Sequence, residues 1–165
     1  MGMITCDDGS QEWWENGCLH RLDGPAVIYT NGYQEWRVDG RLHRLDSPAR
    51  IWADGSQEWY DDGRLHRLDG PARIWSSGTR DWYVDGRLHR LDGPARIWSS
   101  GTRDWCENGK LHRLDGPARI RTNGDQEWYV NDKEVTQQVT TWMQQRNVTW
   151  PWDQETQMEF VLTWV

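Results

Sequence analysis

The sequence predicts a mainly β protein. The expected architecture is a single-layer antiparallel β-meander of repeats, two strands per 23-residue repeat, ending in a C-terminal helix-plus-strand cap. Three observations predict it. First, His20, His43, His66, His89 and His112 are spaced 23 residues apart. Trp13, Trp36, Trp59, Trp82, Trp105 and Trp128 keep the same step. A fixed period of this size marks an array of like supersecondary units. Second, each unit carries two turn signals. One set is Asn16-Gly17, Asp39-Gly40, Asp62-Gly63, Asp85-Gly86 and Asn108-Gly109; the other is Asn31-Gly32, Asp54-Gly55, Ser77-Gly78, Ser100-Gly101 and Asn123-Gly124. Asn-Gly and Asp-Gly supply the positive φ of two-residue hairpin turns. Third, the segments between the turns are rich in Trp, Tyr, Val and Ile, the residues that favour strands.

The elements follow in chain order. Residues 1–12 form an N-terminal edge, where Asp7 and Asp8 place charge against edge-to-edge association. Residues 13–132 hold five full repeats, from Trp13 to Glu127, and a sixth that begins at Trp128 and is diverted at Asp132. Inside each repeat, Leu68-Asp69-Gly70-Pro71 and its equivalents read as a kink or bulge in the second strand, since proline cannot donate to a ladder. Asp69 is expected to accept backbone N–H groups there. Residues 133–165 form the cap. Val135, Val139, Trp142 and Met143 share one helical face, and Met158–Val165 has the composition of a strand. Such a cap would cover the last open edge of the array. Trp150-Pro151-Trp152 is expected to pack at the junction.

Composition narrows the function classes. The 165 residues carry 19 Lys and Arg against 26 Asp and Glu, a net charge of −7, which argues against general nucleic-acid binding. No apolar run is long enough to span a bilayer. Only 36% of residues are hydrophobic, yet 14 are tryptophan, and aromatic content of this kind opposes disorder. Cys6, Cys18 and Cys106 form no spaced framework, so neither disulfides nor a cysteine metal site is expected, and a reducing, cytoplasmic setting fits.

The repeat, with Trp59-Tyr60-Asp61-Asp62-Gly63-Arg64-Leu65-His66 as its first half, resembles the MORN repeat family over roughly residues 8–135. The second half departs. MORN units usually continue with Gly-x-Gly, whereas this chain has Leu68-Asp69-Gly70-Pro71-Ala72. That form resembles repeat proteins encoded by bacteriophages and large DNA viruses. Residues 131–164 resemble the ends of such phage proteins. The resemblance implies a β-meander that binds proteins or membranes, and for some variant-repeat bacterial relatives an antitoxin role.

Comparison of the repeats with one another separates scaffold from candidate site. The Trp, Leu, Ala and Ile rows recur in every full repeat and are assigned to the packed face. The His-Arg-x-Asp row is also uniform. Five identical His–Asp sets would make five equivalent sites, whereas catalysis needs one asymmetric pocket, so a hydrogen-bonding role is expected. No nucleophile–base pair, phosphate loop or metal constellation stands out, and neither an enzyme nor a cofactor is expected. The candidate binding residues are those that vary: Arg50 with Trp52, Arg73 with Trp75, Arg96 with Trp98, and Tyr60 and Tyr83 from a neighbouring row. Period-2 alternation places Arg73 and Trp75 on one face and Ala72 and Ile74 on the other. Charge follows the same plan: residues 1–18 carry −4, residues 19–123 carry +2 and residues 124–165 carry −5. Arg beside Trp suits cation–π contact and protein hot spots. The leading expectation is a non-enzymatic protein that grips and inhibits a partner protein, as a phage counter-defence or antitoxin-like inhibitor. Sequestration of a small anionic, nucleotide-type ligand and glycan binding are the alternatives, and homodimerisation through the N-terminal edge stays open.

Overall fold

The computed structural model describes residues 2–165, and the protein is mainly β with two helices near the C-terminus. The chain divides into two compact units, Met1–Arg87 and Leu88–Val165.

In the first unit the main sheet is an antiparallel meander that follows the chain. Gly2–Thr5 pairs with Gln11–Glu15, which pairs with Val27–Ile28. Gln34–Glu35, Arg50–Ile51, Gln57–Glu58, Arg73–Ile74 and Arg80–Asp81 then add in order. In the first repeat Gln11–Glu15 runs unbroken through Trp13, but from the second repeat on the tryptophan interrupts the strand. Trp59 N–H donates to Ala72 O of the main ladder, while Trp59 O accepts His66 N–H of a separate hairpin, Tyr60–Asp61 with Arg64–Leu65. Each repeat from the second on therefore holds four two-residue strands rather than two longer ones. Two lie in the main sheet and two form a side hairpin.

The two turn sets also differ. At Asp62-Gly63 both residues have positive φ, 45° and 80°, as a type I′ hairpin requires. At the second set only the glycine does. Trp52 N–H donates to Ser56 O and Gly55 N–H to Trp52 O, which makes a three-residue loop with glycine alone at positive φ.

Leu68-Asp69-Gly70-Pro71 is not a bulge within a strand. It is a bend outside the ladder, and the strand starts at Arg73. Asp69 does not accept a neighbouring backbone amide across that bend. Its Oδ1 accepts Arg67 Nε at 2.7 Å, and the same guanidinium reaches Pro71 O and lies 4.2 Å over the Trp59 ring. Arg67 is the largest of the influences that hold the Asp69 carboxyl below its ordinary range, with the aspartate's own backbone amide a smaller one. Ala26, Ala49 and Ala72, just past each bend, are fully buried.

The second unit repeats the plan. Arg96–Ile97, Arg103–Asp104, Arg119–Ile120 and Gln126–Glu127 form an antiparallel run, with side hairpins Cys106–Glu107/Lys110–Leu111 and Tyr129–Val130/Lys133–Glu134. The sixth side hairpin closes, with Asn131 and Asp132 both at positive φ. Val135 then takes the histidine position, its N–H donating to Trp128 O. Helix α1 is Thr136–Arg146 and helix α2 is Gln154–Trp164.

Helix α2 corrects the expectation of a C-terminal strand at Met158–Val165. Asp153 caps the helix, accepting Thr156 N–H at 2.8 Å, and Phe160 and Trp164, one turn apart, stack at 4.8 Å. Those contacts outweigh the β-leaning composition of the segment. Phe160, fully buried, joins Trp128, Val130, Val135, Val139 and Trp142 in the largest apolar cluster, and Trp150 and Trp152 pack against it. Among the described residues no helix is long and apolar enough to cross a membrane.

Candidate functional site

The candidate arginines and tryptophans sit on the main-sheet strands and the turns that follow them, and Tyr60 and Tyr83 on side hairpins. In the first unit Arg50 lies 5.4 Å from the Trp52 ring and 5.5 Å from the Tyr60 ring. Arg73 repeats this, 5.0 Å from Trp75 and 5.6 Å from Tyr83. In the second unit Arg96 lies 4.8 Å from Trp98. Alternation along the strand thus brings each arginine beside the tryptophan two residues on, with Ala72 on the opposite, buried side.

Exposure divides the set. Trp52, Trp75 and Trp98 keep 38–39% of their surface open to solvent. Tyr60 is buried, and its hydroxyl donates to Glu58. Burial, then the nearby Glu58 charge, raises its pKa. Tyr60 is thus largely covered and packs beside the Arg50 guanidinium. The outer indoles are held in place: Trp75 Nε1 donates to Asp81 at 3.3 Å and Trp98 Nε1 to Asp104 at 3.0 Å.

A second row was not singled out from the sequence. The acidic residue before each tryptophan lies opposite the arginines in the ladder. Glu35 and Glu58 face Arg50, and Asp104 faces Arg96 and Arg119. Arg50 donates to Glu58 at 3.0 Å and to Glu35 at 3.2 Å, Arg73 Nε lies 2.7 Å from Glu58, and Arg119 Nε donates to Asp104 at 2.7 Å. These carboxylates are 2–5% exposed. The signal was present in the recurring Glu/Asp-Trp pair, but its partner lies 8 or 15 residues away and depends on register. Burial works against the charge on Arg50, but Tyr33, Tyr60, Glu35 and Glu58 prevail and raise its pKa. Glu35 is pushed up by burial and pulled further down by Arg37, Tyr33 and Arg50, so its pKa falls below the usual range. Arg50, Arg73 and Arg119 are thus each matched by a carboxylate.

The histidine row has a distinct task. His43 Nδ1 accepts the Asp62 backbone N–H at 3.1 Å, and Leu42 O accepts Gly63 N–H at 2.8 Å. Each repeat therefore satisfies both amides of the next repeat's positive-φ turn. His20, His66, His89 and His112 do the same for Asp39, Asp85, Asn108 and Asn131. Among the described residues no group of three or more His, Cys, Asp or Glu side chains could hold a metal ion. All three cysteines are free, and burial pushes the Cys106 thiol up to about 11.

No protein family and no curated protein matches the chain in sequence.

Proposed function

We propose that this chain is a non-enzymatic binding protein that engages and inhibits a partner protein through Trp52, Trp75 and Trp98 and their flanking arginines. One observation carries the reading: three half-exposed indoles recur at the repeat step, each beside an arginine and each already oriented by its own contacts. Pre-oriented Trp and Arg are the residue types that dominate protein-interface energetics. The resemblance of the repeat to the MORN family and to phage-encoded repeat proteins supports the reading of a phage counter-defence or antitoxin-like inhibitor acting in the host cytoplasm. The nucleotide-type alternative is weaker, because Arg50 and Arg73 are already paired with carboxylates.

The test is capture from bacterial lysate followed by native mass spectrometry, with wild-type protein and the Trp52→Ala/Trp75→Ala/Trp98→Ala variant. The expected outcome is a bound protein whose affinity falls at least ~30-fold in the variant, the scale of a single hot-spot residue. Retention of the partner at wild-type affinity, or a bound mass of only a few hundred daltons, overturns the reading.

A further inference from the structure

The loop that follows each histidine carries a leucine that most repeats leave in solvent. Leu22, Leu45, Leu68 and Leu91 are 74–80% exposed. The fifth loop, Arg113-Leu114-Asp115-Gly116, is different, because the chain's own Trp150 sits on it. Trp150 Nε1 donates to Asp115 O at 3.0 Å. The Arg113 guanidinium lies 5.7 Å from the Trp150 ring and 4.2 Å from the Trp105 ring. A Cβ at Gly116 would lie 2.6 Å from the indole nitrogen, so only glycine admits the ring. Leu114 packs against the C-terminal aromatic cluster.

The same parts recur in the loops that Trp150 does not reach. Arg21 and Arg67 lie 4.1 and 4.2 Å over Trp13 and Trp59 and bond Asp23 and Asp69, and Gly24 and Gly70 follow. Arg90 bonds Asp92 at 2.8 Å, and Gly93 follows. Beside Leu91 an open groove of about 670 Å³ runs to the occupied loop, bounded by Trp105, Arg113, Leu114 and Gln157. That volume is within the range of ligand-binding clefts.

We infer that the Arg-Leu-Asp-Gly loops of the first, third and fourth repeats are receptors for a tryptophan side chain carried on an extended segment of a partner protein. The occupied fifth loop is the template. The loop carbonyl accepts the indole N–H, the arginine lies beside the ring, the leucine packs with the same aromatic cluster as the ring, and the glycine leaves the space. The second repeat has Ser47 in place of glycine, so its loop excludes the ring. These residues are separate from Arg50, Trp52 and their equivalents, and the two readings fail independently.

The test uses the full chain and a peptide with the sequence of residues 147–153, carrying 5-fluorotryptophan at the position of Trp150 and followed by fluorine NMR. The expected result is a saturable shift with Kd on the order of 1 mM per loop, as suits one anchoring side chain. Leu91→Asp should weaken it, and Leu22→Asp/Leu68→Asp/Leu91→Asp should abolish it. All three leucines are exposed, so the variants should melt as the wild type does. Absence of a saturable shift overturns the inference, and so does undiminished binding to the triple variant. Concentration-dependent self-association lost in the triple variant would assign the loops to a second copy of the chain and also overturn it.

Discussion

At the scale of the residue, charge is what this sequence hides best. Glu35 is 5% exposed yet held ionised by Arg37 at 2.7 Å and Arg50 at 3.2 Å. Its folded pKa lies below the ordinary 4.5. A depressed carboxyl contributes stability that is complete above the unfolded value and lost as pH falls through the folded one. Urea titrations should therefore show the midpoint constant near neutrality and dropping below about pH 4.5. Glu35→Gln should cost about 1–3 kcal/mol at pH 7 and flatten the acid limb. An unchanged acid limb in that variant would remove Glu35 from the account. The exposed tryptophans could be read from the repeat, because a row that varies against uniform neighbours is visible in one dimension. Their carboxylate partners could not. Glu58 meets both Arg50 and Arg73 only once the ladder register is set.

At the scale of the element, the repeat was legible where the backbone dictates it and illegible where packing does. Asp39-Gly40 and Asp62-Gly63 demand left-handed angles, and both turns form as the sequence predicts. The split of the long strands at Trp36, Trp59 and their later equivalents was not legible, since Trp59 has the same composition-level preference whether it continues a ladder or joins two. The C-terminal segment shows the same limit. Phe160, Val161, Leu162, Thr163 and Trp164 read as β, but Asp153 starts a helix and Phe160 has a fully buried pocket waiting. That pocket predicts a large effect. Phe160→Ala should destabilise the second unit by about 3–5 kcal/mol, seen as a lowered melting temperature. It leaves Trp142, Trp152 and Trp164 without the ring they pack against. A loss below about 1 kcal/mol would mean the helices contribute little to the cluster.

At the scale of the whole molecule, the two units bury their apolar surface differently. Among the described residues the second has the aromatic cluster around Trp142 and Phe160, while the first has a small one of Leu42, Ala49 and Tyr60 with Trp36 and Leu65 beside it. Adjacent strands of the first unit's main sheet meet, from Val27 to Asp81, over ladders just two residues long. This has a mechanical consequence. A tether pulling on the N-terminus would load these ladders one after another, like a zip, and not all at once. Each repeat freed would add 23 residues, about 80 Å of extended contour. Optical-trap traces should therefore climb in short, even steps at low force, and a single abrupt rip of the whole first unit would show that the repeats yield together.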